Sequence, residues 1–113
     1  DIPVVLGNDV GCPWVSQYDF WRELYYFHKY IGVSNCFALY TATSLASKYV
    51  GLEDVTGTID IGKEADMIVV SENPLDDLKA LRHVEKVFTR GKLIDHPKVK
   101  INKIVETELD KYL

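Results

Sequence analysis

One carboxylate in this sequence occupies a position suited to metal or acid–base chemistry. Asp9 follows the apolar run Val4–Leu6 and is flanked by Gly7 and Gly11. A continuous apolar run that ends at a glycine-bearing loop is typical of a buried parallel strand, and α/β folds place their chemistry beyond the carboxyl ends of such strands. Asp9 is therefore a candidate metal ligand, a candidate general base, or both. The alternative is that Asp9 caps a turn, as aspartate commonly does in glycine-rich loops.

The histidines and cysteines form no recognisable metal or redox motif. His28, His83 and His96 show neither HxH nor HExxH spacing. His28 is either a histidine at the edge of the core or a ligand, and the other two flank predicted strands as solvated loop residues. Cys12 and Cys36 are expected to be free thiols of a cytoplasmic protein, with a structural disulfide as the alternative. Since a hydrolytic metal site needs three or more ligands, the carboxylate would need partners from elsewhere.

Length and composition limit the classes of protein that this chain can be. The 113 residues suffice for one domain or a piece of one, and 47% hydrophobic with 27% charged residues is ordinary for a globular protein. A net charge of −4 argues against a nucleic-acid partner, which requires a surplus of Lys and Arg. No apolar run approaches the roughly 18 residues of a membrane-spanning helix. The sequence begins at Asp1, without an initiator Met or a signal-peptide pattern, and its start has the pattern of a buried strand, so we expect a piece of a longer protein.

Two helices are predicted in the first half of the chain. An apolar stripe with helical spacing begins after Asp19, a possible N-cap, and stops at Gly32. A second helix is predicted from Ser34, its N-cap, to about Val50, where Gly51 ends it. Both helices carry broad apolar faces, which have to pack on another element.

The second half of the chain has the period of β-structure. A short helix is expected at 75–81, and an amphipathic helix follows His96–Pro97. The predicted strands are Thr58–Ile61, Met67–Val70, Val84–Thr89 and, after a tight turn at Arg90–Gly91, Lys92–Ile94. Three or four short strands cannot bury both faces of a sheet, so this half requires strands from elsewhere.

Several segments together resemble the C-terminal part of the amidohydrolase superfamily, in its branch of imidazolonepropionases and Xaa-Pro or Xaa-Arg dipeptidases. The most specific of them is GTIDIGKEADMIVV, which begins at residue 57. The others are GNDVGCP at 7–13, FWREL at 20–24, SNCFALYTATSLASKYVGL at 34–52 and VFTRGKLI at 87–94.

The resemblance implies an α/β fragment of a larger fold. Residues 1–51 would supply the last strand, Val4–Leu6, and the closing helices of a (β/α)8 barrel. Residues 52–96 would form the returning part of a small β-sandwich, and 97–113 a helical tail. This origin would explain why the β half lacks partner strands.

The resemblance also implies a chemistry for the Asp9 loop. Asp9 would bind a divalent metal, with zinc expected, and act as general base while a metal-bound water attacks a carbonyl. The reaction would be hydrolysis of a C–N bond in a small amide, dipeptide or cyclic amide, with Gly11 and Cys12 next to the substrate. The remaining metal ligands belong to earlier strands of the family's barrel, so the isolated chain is expected to bind no metal and to be inactive.

The unpaired apolar faces predict a homo-oligomer. The resemblance implies a small-molecule substrate for the full-length enzyme. The free thiols favour a cytoplasmic location, and neither nucleic acid nor membrane is expected as a partner. The aromatic cluster is either core or interface, or else a ligand box, and its members are Trp14, Tyr18, Trp21, Tyr25 and Tyr26. A different class of function stays open, namely a stand-alone, non-catalytic oligomerisation or binding module.

Overall fold

The computed structural model describes residues 2–113, so Asp1, where the first predicted unit begins, lies outside the described residues. Helices come first, with α1 at Phe20–Tyr26, α2 at Asn35–Ala42 and α3 at Ser44–Tyr49. A sheet follows, with β1 at Met67–Val70, β2 at Val84–Thr89 and β3 at Lys92–Asp95. A 3-10 turn at Leu78–Arg82 connects β1 to β2, and α4 spans Lys103–Leu109. No helix of residues 2–113 is long and apolar enough to cross a membrane.

The first predicted helix is present, and its end is set by a local signal. A 3-10 turn at Gln17–Asp19 leads into α1, and a π-helical turn at Phe27–Ile31 prolongs it. Gly32, at φ +81°, then ends it in the left-handed conformation that glycine adopts without steric cost. Asp19 occupies the predicted N-cap position of α1, but its side chain accepts no capping hydrogen bond within residues 2–113. The Asp19 side chain instead accepts a hydrogen bond from Trp21, whose Nε1 lies 3.2 Å from Asp19 Oδ1.

The second predicted helix is two helices. Its N-cap is confirmed, because Ser34 Oγ accepts a hydrogen bond from the Phe37 amide at 3.1 Å. The helix breaks at Thr43, where φ is −123° and ψ is −91°. Thr43 Oγ1 donates to the Leu39 carbonyl at 2.7 Å. A threonine side chain that bonds back to a carbonyl four residues earlier competes with the backbone ladder, and such bonding bends helices.

The sheet is antiparallel with strand order β1-β2-β3, and its predicted hairpin is confirmed. Val87 lies opposite Ile68 on one side and Ile94 on the other. The turn residues Arg90 and Gly91 both have positive φ, +50° and +75°, as a two-residue hairpin with native strand twist requires. The helix predicted at 75–81 is instead the 3-10 turn that begins after Asp77.

Two predicted strands are absent from the structure. Residues 4–6 form no strand, and Val4 is 50% exposed although Leu6 packs against the core. Thr58–Ile61 also form no strand, and both of its isoleucines are exposed. A strand requires a neighbour for its ladder, and no other strand of residues 2–113 lies beside either segment. At the second segment Thr58 Oγ1 donates to Asp60 Oδ2 at 2.5 Å, which favours a local turn.

The core is small and lies where α1, α2 and the 3-10 turn meet. Leu24, Ala38 and Leu78 are its fully packed members, with at most 3% of each exposed. Outside this core many large apolar side chains are exposed, and an open groove of about 790 Å³ separates α3 from the sheet. The chain therefore has more apolar surface than its own core covers.

Candidate functional site

The loop that carries Asp9 is a hydrogen-bonded turn on the surface. Asp9 has a φ of +48° and Gly11 a φ of +113°, so the backbone reverses sharply between them. The Cys12 amide donates to the Asp9 carbonyl at 3.3 Å, and Cys12 Sγ donates to Asp9 Oδ2 at 3.0 Å. Asp9 thus accepts a hydrogen bond from its own turn, as in the turn-capping alternative. Its side chain is exposed and accessible to groups from outside the described residues.

The hydrogen bond to Asp9 changes the chemistry of Cys12. Donation to the carboxylate, with a smaller contribution from burial, raises the pKa of the Cys12 thiol above its ordinary value. The thiol therefore stays protonated at neutral pH, and a protonated thiol is a poor nucleophile and a poor metal ligand. Cys12 orients the carboxylate in this geometry. Cys12 and Cys36 are both free and exposed, so the disulfide alternative is not realised.

The histidines lie apart from the Asp9 loop. His28 Nδ1 lies 2.7 Å from the Val33 carbonyl, so that nitrogen carries the proton and donates. His28, His83 and His96 are all exposed. Across residues 2–113 no group of three or more His, Cys, Asp or Glu side chains converges to hold a metal ion. Asp9 therefore has no convergent set of ligand side chains around it among residues 2–113, and a three-ligand site would need residues beyond these.

The most developed polar arrangement lies elsewhere, between α1, the 3-10 turn and α4. Arg22, only 2% exposed, has its Nη2 at 3.0 Å from Glu106 Oε2 and 2.6 Å from Asp110 Oδ1. Arg82 Nη2 lies 2.7 Å from Glu106 Oε2 and 2.9 Å from Asp110 Oδ2. Asp19 Oδ1 completes the set at 3.3 Å from Arg22 Nε. We call these five residues the charge cluster.

An aromatic ring and hydrogen bonds to the backbone strengthen the attachment of the C-terminal segment. The guanidinium carbons of Arg22 and Arg82 lie 4.6 Å and 5.4 Å from the centroid of the Trp21 ring. Near the start of α4, the Asn102 amide donates to Tyr18 Oη at 3.0 Å. Two residues of the predicted aromatic cluster, Tyr18 and Trp21, therefore help to hold α4.

The charge cluster contains groups with perturbed titration. Burial, the adjacent Glu106 carboxyl and its charge raise the pKa of Asp19 to about 6, against the opposing effect of Arg22. Asp110 behaves differently: although burial acts against it, hydrogen bonds from Arg82 and Arg22 lower its pKa below the ordinary value. The two carboxyls thus differ because Asp19 is buried beside a second carboxyl, whereas Asp110 accepts hydrogen bonds from two guanidiniums.

Sequence reasoning missed the charge cluster. Its only local signals are the i, i+3 spacing of Asp19 and Arg22 and the i, i+4 spacing of Glu106 and Asp110. Such spacings place two charges on one helix face, which is ordinary for a solvated surface. Nothing local indicates that the two faces meet across a sequence separation of 84 residues.

Comparison with solved structures identifies the class of protein. The chain superimposes on the "putative prolidase" of Bifidobacterium longum with a TM-score of 0.91 and 37% identity, over 95% of this chain and 26% of that one. A Xaa-Pro dipeptidase with bound methionine in its active site gives 0.64 and 34%, over 67% and 18%. A prolidase complexed with N-methylphosphonate-L-proline gives 0.59 and 32%, over 66% and 19%.

The sequence profile of the amidohydrolase family matches residues 5–94, which is most of the chain. The chain belongs to the amidohydrolase family, and the predicted resemblance is confirmed. It spans about a quarter or less of the length of the solved relatives described above. Among curated proteins none matches the chain.

Proposed function

We propose that this chain is the C-terminal part of a metal-dependent amidohydrolase in which Asp9 is a metal ligand and the general base. The observation that carries the proposal is the position of Asp9. It is an exposed carboxylate on a sharp turn that lies inside the matched family segment. Residues 1–51 would belong to the end of the barrel, 52–96 to the sandwich and 97–113 to a helical tail.

The donor chemistry of the loop fits a divalent metal as one ligand of several. Cys12 engages Oδ2 of Asp9, so the carboxylate keeps its second oxygen for a metal or a water. When bound, a metal such as zinc would polarise a carbonyl and lower the pKa of a bound water. Asp9 would accept a proton at its carboxylate and later pass it to the leaving nitrogen. The other ligands would come from a longer polypeptide, so this chain alone would be inactive.

The solved relatives support a substrate class. One is a Xaa-Pro dipeptidase, and another is a prolidase complexed with N-methylphosphonate-L-proline. We therefore place small amides, with dipeptides that end in proline foremost, as the substrates of the longer enzyme. Gly11 and Cys12 lie beside Asp9 in the loop and would contact that substrate. A cytoplasmic location completes the proposal.

A comparison of two aspartate variants in the longer polypeptide tests the assignment. Asp9→Asn keeps the size of the side chain but removes both the anionic ligand and the base. It should lower kcat/KM for a Xaa-Pro dipeptide roughly 10³-fold or more, while the melting temperature stays unchanged. Asp54→Asn, at an exposed position in another loop, is the matched control and should leave kcat/KM unchanged. Near-normal turnover of Asp9→Asn would overturn the proposal.

A second candidate, a non-catalytic binding or oligomerisation module, is favoured by one specific observation. Large apolar side chains are exposed on the helices and on the sheet, with Phe37 and Tyr40 each 44% exposed and Ile68 51% exposed. Exposed apolar patches of more than a few hundred Å² are uncommon on monomers. A homo-oligomer is compatible with either function. The comparison of Asp9→Asn with Asp54→Asn separates the two functions, because a non-catalytic binding module would keep its function when Asp9 is replaced.

A further inference from the structure

The charge cluster has more negative than positive groups. Asp19, Glu106 and Asp110 face two guanidiniums, Arg22 and Arg82, so full ionisation would leave one excess negative charge. Two of the carboxyl oxygens, Asp19 Oδ2 and Glu106 Oε1, are buried and have no hydrogen-bond donor among residues 2–113. Arg22 Nε and Nη1 are buried in the same cluster and have no hydrogen-bond acceptor among these residues. A buried acceptor without a donor is costly, and native structures rarely retain one.

One added proton would neutralise the excess negative charge and would supply a donor between the two unpaired carboxyl oxygens. The Asp19 and Glu106 carboxyls contact the same guanidinium, at Arg22 Nε and Nη2, and both residues line one cavity beside it. A proton on Asp19 Oδ2 would donate to Glu106 Oε1, which pairs the two orphaned oxygens and neutralises the excess charge. We propose that this shared proton acts as a latch that strengthens the attachment of α4 to α1, and that its loss as the pH rises toward neutrality weakens the hold on the C-terminal helix.

The surroundings of Asp19 determine the direction of the effect. Its raised pKa, about 6, means that the proton is held in the folded chain at a pH where the unfolded chain has lost it. The stabilisation is therefore complete below about pH 4 and is lost as the pH rises through about 6. The titratable and charged groups that face this pair are Tyr18, Arg22, Glu23 and Tyr26 from the α1 region, Arg82 and His83 from the 3-10 turn and its end, and Asp110 from the end of α4.

Amide hydrogen exchange of residues 103–109 in the 113-residue chain tests the latch directly. After correction for intrinsic exchange rates, protection of these amides should fall about tenfold between pH 5 and pH 7.5, the ratio that follows from a pKa of about 6 against an unfolded value near 4. Asp19→Asn places a permanent N–H donor where the proton sits, so it should retain the protection of pH 5 at pH 7.5. Asp95→Asn, an exposed aspartate on β3, is the control and should follow the unmodified chain.

A second measurement keeps the proposal falsifiable if Asp19→Asn does not fold. The side-chain carboxyl carbon of Asp19, followed by NMR in the unmodified chain, should shift with a midpoint near pH 6. A midpoint for Asp19 below pH 4.5 would overturn the latch. Protection of 103–109 that does not change with pH, or that falls equally in Asp19→Asn, would do the same.

Discussion

Replacement of Gly57 by alanine tests the close packing of the Gly57 loop against helix α3. Gly57 has a φ of +94°, and a Cβ built on it would collide with Oγ and Cβ of Ser47 and lie 3.1 Å from the Thr43 carbonyl oxygen. Ser47 is buried on α3, so it cannot move into solvent. Gly62 has nearly the same φ, +95°, but a Cβ there would have nothing within 4 Å among residues 2–113. The two glycines thus share the backbone strain, and the contact occurs only at Gly57.

The magnitudes follow from these two contributions. Gly62→Ala should lower the free energy of unfolding by about 1–2 kcal/mol, the cost of a side chain at positive φ. Gly57→Ala should lower it by a further 1–3 kcal/mol or so, the usual cost of overpacking. Urea unfolding followed by tryptophan fluorescence measures both. The double variant Ser47→Gly/Gly57→Ala should recover about 1 kcal/mol or more of the contact cost in a double-mutant cycle. Equal losses in the two single variants would refute the packing of this loop on α3.

Three further predictions concern charge, metal and association. Arg22→Leu leaves buried carboxylates unpaired and should lower the free energy of unfolding by about 3–5 kcal/mol. The control Arg90→Leu removes an ion pair whose arginine side chain is 79% exposed, and it should lower the free energy of unfolding by about 1 kcal/mol or less. Equal losses in urea titrations would contradict the burial of the charge cluster. Calorimetric titration of the 113-residue chain with zinc at neutral pH should show no stoichiometric site of submicromolar affinity, since no three ligand side chains converge within residues 2–113. Detection of such a site would contradict this arrangement of ligand side chains. Sedimentation equilibrium at micromolar concentration should give a mass above 12.9 kDa, because the apolar groove beside α3 favours self-association, and a monomer at all concentrations would show that the chain covers its own surface.

Features of this fold that depend on neighbouring residues could be predicted from the sequence. Gly32 ends a helix because its φ is +81°, and Ser34 begins the next because its Oγ reaches the Phe37 amide. The hairpin turn at Arg90–Gly91 and its two flanking strands also depend on residues close together in the chain. These signals operate within four residues of chain, so the sequence displays them directly.

Features that depend on distant partners could not be predicted in the same way. Val4–Leu6 has the composition of a buried strand, but a strand also needs a neighbour for its ladder, and residues 2–113 provide none. The charge cluster joins Arg22 to Glu106 across 84 positions, and the pairing is fixed only once α1 and α4 pack together. The Asp9 site lies between these cases, since its loop is local but its proposed metal partners are not.

The position of the metal in the longer polypeptide tests the proposed role of Asp9 most directly. Crystals of that polypeptide grown with zinc would locate the metal by anomalous scattering at the zinc absorption edge. A metal 2.0–2.2 Å or so from an Asp9 carboxylate oxygen is the expected result, because that is the zinc–carboxylate bond length. A catalytic zinc whose ligands exclude Asp9 would contradict the account.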